Sequence, residues 1–373
     1  MQPYLNLRGG AERVILKIAQ HYDAKIYTTE FSKETTFPEF GDLDIEVISR
    51  DVPLADKLPY RASQGLRYGY NFYNFKVNED YDIINAHISP SEWSRHKNKR
   101  VLWYCHTPPR EVYDLYYERM KNRSYKEKVL YAAFTNAYKL MAGRIVKDIE
   151  EIATNSKNTK IRIKKYFDRD ATVINPALDC SGYSNSGDND YFLYPSRILA
   201  NKRQDYVIDA FARYQKKTKD YRRKLYIVGT LSKDSEHQAY FEKLKRMHVK
   251  NVVFKANVDD KVLRGFYSRS TAVLFAAVNE DFGYVPLESM ASSKPIISVD
   301  DGGPRETIIE DRTGFLVKSS EEMAERMKFI VEHPKDAERM GAEGRRHVEK
   351  RYSWNVFFRK FDAVARRVAA AKN

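Results

Sequence analysis

Short apolar runs and helical stripes alternate along almost the whole chain. Runs rich in Val, Ile, Leu and Phe fall at 24–29, 44–49, 81–87, 101–106, 151–155 and 171–175. A second set follows at 191–195, 224–229, 251–255, 271–278, 295–300 and 314–317. Several, such as "TAVLFAAV" at 271–278, show no polar alternation, the pattern of strands covered by helices on both faces. Between them, apolar residues recur at helical spacing, as in Val14, Ile15, Ile18 and Ala19. Strand–helix–strand alternation predicts right-handed βαβ units and parallel sheets. The stretch "ALDCSGYSNSGDND" at 177–190 is small, polar and turn-rich, and predicts a linker between two similar α/β halves. The domains expected are therefore 1–178, 179–352, and a final helix over 353–373. That helix carries Trp354, Phe357, Phe358, Phe361 and Val364 on one stripe, able to dock on its own half or to cross back to the other. Tyr113–Val146 predicts one long helical region rich in Tyr, Lys and Arg. Its aromatic stripe reads either as core or as a basic face lying on lipid headgroups.

Composition narrows the picture. The 373 residues suit two domains, and 42% hydrophobic residues suffice for packed cores. The net charge of +14 is uneven: residues 1–90 carry 10 Lys/Arg against 13 Asp/Glu, residues 91–170 carry 19 against 10. Such a balance points to an anionic partner or to a solvated basic surface. The basic residues form no recognisable nucleic-acid-binding signature, and no nucleic-acid partner is expected. Cys105 and Cys180 have neither metal-ligand spacing nor a disulfide framework, which points to a reducing, cytoplasmic setting. No apolar run is long enough to span a membrane, and no signal peptide is visible, so any membrane contact is expected to be peripheral.

In open α/β sheets, ligands bind at the carboxyl ends of strands. "FAAVNEDFGYVPLESMASSKPIISV", from Phe275 to Val299, is the sharpest such place. A strand gives way to a loop with Glu280 and Asp281, then Gly283 and a helix whose first-turn N–H groups suit a phosphate or a sugar. Glu280 and Glu288 can both accept hydrogen bonds from ligand hydroxyls; the plainer reading is an acidic loop and a helix-start acid. Arg197 and Lys202 follow another strand, and two cations there either neutralise a diphosphate or are ordinary surface charges. Gly9-Gly10 opens a helix, a weak anion-cradle signal without the dinucleotide or Walker spacing. His106 and His87 end strands, as sugar-contacting or structural groups. Gly302-Gly303 and Glu306 follow a further strand, permitting close approach to a nucleotide or forming a plain turn.

Together "RGGAERV", "SRILANKRQD", "IVGT", "NEDFGYVPLESMASSKPII" and "GGPRETI", in that order, resemble the retaining glycosyltransferase family 4, whose GT-B fold is two facing Rossmann-like domains. The resemblance implies the roles that follow. Glu288 holds the nucleotide ribose and Glu280 contacts the transferred sugar. The backbone of Phe282, Gly283, Tyr284 and Val285, with Gly229, Gly9 and Gly10, lines the donor. Arg197 and Lys202 neutralise the leaving diphosphate, and His106 sits beside the sugar. "YCHTPPREVYDLYYE" is similar to a mannosyltransferase form, which implies GDP-mannose as donor, with a UDP-sugar as the competitor. No cofactor and no metal are expected, and the acceptor implied is a glycan or a lipid-linked sugar. A sugar-nucleotide epimerase or hydrolase on the same fold is the rival enzyme. Two departures stand out. Met1 lies almost on the Gly9-Gly10 loop, so the usual first strand is expected to be missing or vestigial. Ser293 replaces a glycine usual in that turn.

Overall fold

The computed structural model describes residues 1–371 except 54, 59 and 122, with the side chains of 60 and 61 also left out; the last two positions of the 353–373 helix lie outside the described residues. The chain divides into two compact units, Met1–Pro176 with Phe357–Asn373, and Ala177–Val356.

The first unit contains β1 (Gln2–Leu5), α1 (Gly10–Tyr22), β2 (Ile26–Phe31), β3 (Ile45–Val47), α2 (Tyr60–Asn74), β4 (Ile84–Ala86), β5 (Val101–Cys105), α3 (Tyr116–Lys121), α4 (Tyr125–Asp148), β6 (Glu151–Thr154), α5 (Lys157–Phe167) and β7 (Thr172–Val173). All its strand pairs are parallel, in a three-stranded sheet β1-β2-β3 and a four-stranded sheet β4-β5-β6-β7. Backbone bonds from the Met1 amine to Asn85 O and from His87 N to Met1 O join them along β1 and β4. The missing first strand is thus a wrong expectation. Four residues make it, because Leu5 packs into the core with Ile15, Leu16 and Ile26 while the backbone pairs with β2. The long helical region expected over Tyr113–Val146 is divided in two. Ser124 restarts the chain with a capping box: Glu127 N–H donates to Ser124 Oγ, and Ser124 N–H to the Glu127 carboxylate.

Among the described residues, the first unit buries the carboxylates of Glu12 and Glu92. Glu92, in the 3₁₀ turn Ser91–His96, is fully buried opposite Tyr113 and Tyr138. Burial pushes its carboxyl from 4.5 up to about 8, offset in part by its own backbone and the Ser89 hydroxyl. Between those two values the folded chain holds a proton that the unfolded chain has lost. Glu92 therefore makes stability fall as pH rises through that window, by about 1.4 kcal/mol per pH unit. Glu92→Gln is expected to remove this slope. Urea unfolding midpoints of both proteins across the window test it, and parallel loss of stability in the two would refute it.

The second unit holds β8 (Tyr191–Pro195), α6 (Gln204–Thr218), β9 (Lys224–Gly229), α7 (Ser235–Lys245), β10 (Val252–Ala256), α8 (Asp260–Arg269), β11 (Ala272–Phe275), α9 (Tyr284–Ala291), β12 (Ile296–Val299), α10 (Pro304–Thr307), β13 (Gly314–Val317), α11 (Ser320–Glu332) and α12 (Pro334–Arg351). Its six strands are all parallel. Phe192 and Tyr194 point into one core with α6 and α11, while Tyr191 and Leu193 point into another with α8 and α9. This two-sided burial is why these strands read as unbroken apolar runs.

The stretch 177–190 is no slack linker. Leu178 and Cys180 are buried, Leu178 N–H donates to Tyr352 O, and Ser186 N–H to Ser268 O. Lys294 Nζ reaches Gly187 O at 2.6 Å, and burial lowers this amine to about 8. Ser293 adopts φ 52°, a left-handed conformation that costs a non-glycine residue about 1 kcal/mol. The last helix, α13 (Trp354–Ala369), buries Phe357, Phe361, Val364 and Val368, and from Phe357 onward it belongs to the first unit. There Phe358 stacks on His21, and Arg367 pairs with Glu151 at 2.7 Å.

Candidate active site

The strands of the second unit run in the order β10-β9-β8-β11-β12-β13. From β8 the chain builds outward through β9 and β10, then returns to the other side of β8 with β11. At such a reversal the loops leaving the two central strands part, and a crevice opens at their carboxyl ends. Here those loops are 196–203 and 276–283, and they carry Arg197, Lys202 and Glu280.

The first loop is held rigidly. Gln204 Nε2 donates to Ser196 Oγ and to Arg197 O, each at 2.8 Å, and the buried Tyr194 hydroxyl donates to the Lys202 carbonyl. Lys202 ends the 3₁₀ turn Ala200–Lys202, and its Nζ donates to Glu280 Oε2 at 2.6 Å. The two side chains are only 13% and 26% exposed, so bulk water screens this pair less than a surface one. Val278 N–H also meets Asn201 O, tying the two loops together. Arg197 stands exposed on the same loop.

The second loop is supported from below by the loop after β12. Asn279 N–H donates to Asp301 Oδ2 at 2.7 Å, and Gly303 N–H to Glu280 O at 2.8 Å. Gly302 has φ 60°, and a Cβ there would stand 2.5 Å from Glu280 O. The double glycine, read as permitting close approach to a nucleotide or as a plain turn, lets one loop lie directly on the backbone that carries Glu280.

Gly283, at φ 83°, turns the chain into α9, and Tyr284 and Val285 offer first-turn N–H groups; Pro286 has none. The Phe282 side chain is buried against Tyr352, which leaves only its backbone for a ligand. One and a half turns on, Glu288 is held by two phenols. The Tyr267 hydroxyl donates to Oε2 at 2.7 Å and the Tyr183 hydroxyl to Oε1 at 3.2 Å. A carboxylate has about four acceptor sites, so further hydroxyl donors can still be received. Gly229 is accounted for inside the unit, since a Cβ there would collide with the Ser196 carbonyl.

In the first unit, Gly9 caps α1 in an extended conformation, and a Cβ on it would collide with the Glu12 carboxylate. The chain's own Glu12 carboxylate therefore lies beside this helix start, at the positive end of the helix dipole. Gly10 is the first residue of the helix. His106 and His87 directly follow β5 and β4 and meet ring to ring, Nε2 to Nδ1 at 3.0 Å. Burial lowers His106 to about 3 and lowers His87 as well, so both rings are neutral at physiological pH. Arg110 and Asp114 are tied within this unit, with Asp114 bound by Arg162 and Tyr166. Sequence reasoning missed Tyr183, Tyr267 and Asp301. Each acts on a residue 20 or more positions away, and no local spacing announces that.

Residues 182–347, nearly the whole second unit, match the family described as Glycosyl transferases group 1. This chain is a glycosyltransferase. It is 26% identical to the mouse alpha-1,3/1,6-mannosyltransferase ALG2 over 94% of this chain and 91% of that protein. The human ALG2 is 24% identical over the same shares. Among solved structures, sucrose-phosphate synthase of Thermosynechococcus elongatus covers all of both chains at a TM-score of 0.74, and Anabaena HepE covers 98% and 99% at 0.73, each with 16% identity. The fold of this glycosyltransferase is GT-B, with two Rossmann-like α/β units. Among the described residues, no helix is long and apolar enough to cross a membrane.

Proposed function

We propose that this glycosyltransferase moves mannose from GDP-mannose to a glycan or lipid-linked acceptor, with retention at the anomeric carbon and without a metal. The observation that carries the reading is the Lys202–Glu280 pair, set where β8 and β11 part and flanked by Arg197 and the start of α9. In this reading Glu288 takes the ribose hydroxyls and Glu280 the mannose. Lys202, Arg197 and the Tyr284 and Val285 amides receive the charge that develops on the diphosphate. The bond between the anomeric carbon and the β-phosphate oxygen breaks, and its electrons stay on that oxygen. The acceptor hydroxyl bonds to the same carbon and gives its proton to the departing diphosphate. The mannosyl donor is supported by the 24–26% identity to the two ALG2 mannosyltransferases along nearly the full chain. The ring of His106 stays neutral in this role and can exchange one hydrogen bond with a sugar hydroxyl. In this reading the enzyme works in the cytoplasm, at the surface of an anionic membrane.

The deciding experiment is a thermal-shift series with GDP-mannose, UDP-glucose and UDP-N-acetylglucosamine, followed by nucleotide release with and without acceptor. GDP-mannose should raise the melting temperature most, and release should require acceptor. A larger shift with a UDP-sugar would overturn the donor. Release that ignores acceptor would favour a hydrolase or epimerase.

A further inference from the structure

Helix α4 is apolar on two faces. Its inner face buries Thr135, Ala142, Ile145 and Val146, and Tyr138 packs against Trp93. A helix that buries one stripe ordinarily turns polar residues outward. α4 instead presents Val129, Leu130 and Leu140 more than half exposed, with Tyr125 81% exposed at its start and Tyr117 79% exposed on α3. At about 100° per residue, Tyr125, Val129 and Leu140 fall within an arc of roughly 60° on the helix, and Leu130 stands about 80° further round.

The face is built rather than frayed. Tyr116 stacks on Tyr131 at 5.6 Å, Arg123 lies over the Tyr131 ring and Lys139 over the Tyr116 ring. The capping box at Ser124 fixes where α4 begins. These contacts turn one set of aromatics inward and leave the other set pointing out. The surrounding charge is strongly positive: residues 116–148 hold 8 Lys/Arg against 3 Asp/Glu. Lys121, Lys126, Arg144 and Lys147 are exposed.

We propose that the α3–α4 surface docks on an anionic lipid bilayer. Tyr117, Tyr125, Val129, Leu130 and Leu140 enter the headgroup–acyl boundary, and the lysine and arginine stems cover the rim with their charges at the phosphates. A second copy of this chain is the poorer occupant, because a two-fold dimer would lay this positive face on itself. The docking surface rests on the proposed function only in that a lipid-linked acceptor would be met there.

The test floats the full-length protein with vesicles of phosphatidylcholine alone and of phosphatidylcholine with phosphatidylglycerol. Binding is expected only with phosphatidylglycerol, weakening as salt is raised. Joint Val129→Asp and Leu130→Asp is expected to lower vesicle affinity at least about tenfold, and joint Lys121→Glu and Lys126→Glu similarly. Melting temperature and the GDP-mannose thermal shift should be unchanged in both variants, which separates lost docking from lost folding. Equal binding to neutral vesicles, or wild-type binding by the variants, overturns the proposal. So does a wild-type dimer in sedimentation velocity that the Val129 and Leu130 variant dissolves. A protein that binds vesicles but shows no shift with any nucleotide sugar would sink the proposed function and leave the docking surface standing.

Discussion

Lys202→Ala is expected to lower kcat roughly 10²–10³-fold while leaving the melting temperature nearly unchanged. Lys202 sits on a loop fixed by Tyr194 and Gln204, at the crevice between β8 and β11, so its ammonium is held in place before substrate arrives. Charge appears on the diphosphate only as the glycosidic bond breaks, and a preplaced cation stabilises that stage more than the ground state. The folding cost is small, because the partner Glu280 is partly exposed and water can solvate it once the lysine is gone. Initial rates of nucleotide release over a donor series, with thermal melts on the same samples, provide the check. A kcat within about twofold of wild type would remove Lys202 from the reaction.

The second large effect belongs to Glu288. Replacement by alanine is expected to weaken donor binding by about 1.5–3 kcal/mol, seen as a KM roughly 10–150-fold higher. The same change strips the Tyr267 hydroxyl of its acceptor, and that phenol belongs to a residue only 1% exposed. Alanine therefore also costs about 1–3 kcal/mol of stability. Glu288→Gln separates the two effects, since a glutamine keeps one oxygen for a tyrosine hydroxyl but loses the charge that strengthens hydroxyl binding. Glutamine should retain most of the stability and still raise KM. Unchanged donor KM in both variants would show that Glu288 serves the tyrosines alone.

What the sequence disclosed follows from how locally each feature is encoded. Strands such as 191–195 and 224–229 were readable because two-sided burial demands unbroken apolar runs. β1 was not, since "QPYL" holds a proline and a glutamine and owes its strand state to pairing with β2. The break before α4 had a local signal in Ser124 and Glu127, a capping-box spacing hidden by the continuous Tyr, Lys and Arg composition. At the site, the residue types and their loops were legible, but the partnerships were not. Lys202 meets Glu280 across 78 positions, and Tyr183 meets Glu288 across 105. Gly229, Gly302 and Gly303 signal close approach correctly, but what comes close is the chain's own backbone.

The course of α13 has a consequence for synthesis. Domains commonly fold in order as they leave the ribosome, the amino-terminal one first. Here Phe357, Phe361, Val364 and Val368 complete the unit that the first 176 residues begin. That unit reaches its finished form only after the entire second unit has been translated. Until then the surface around His21 and Glu151 awaits its cover, and a nascent chain spends most of its translation with the earliest-made half still open.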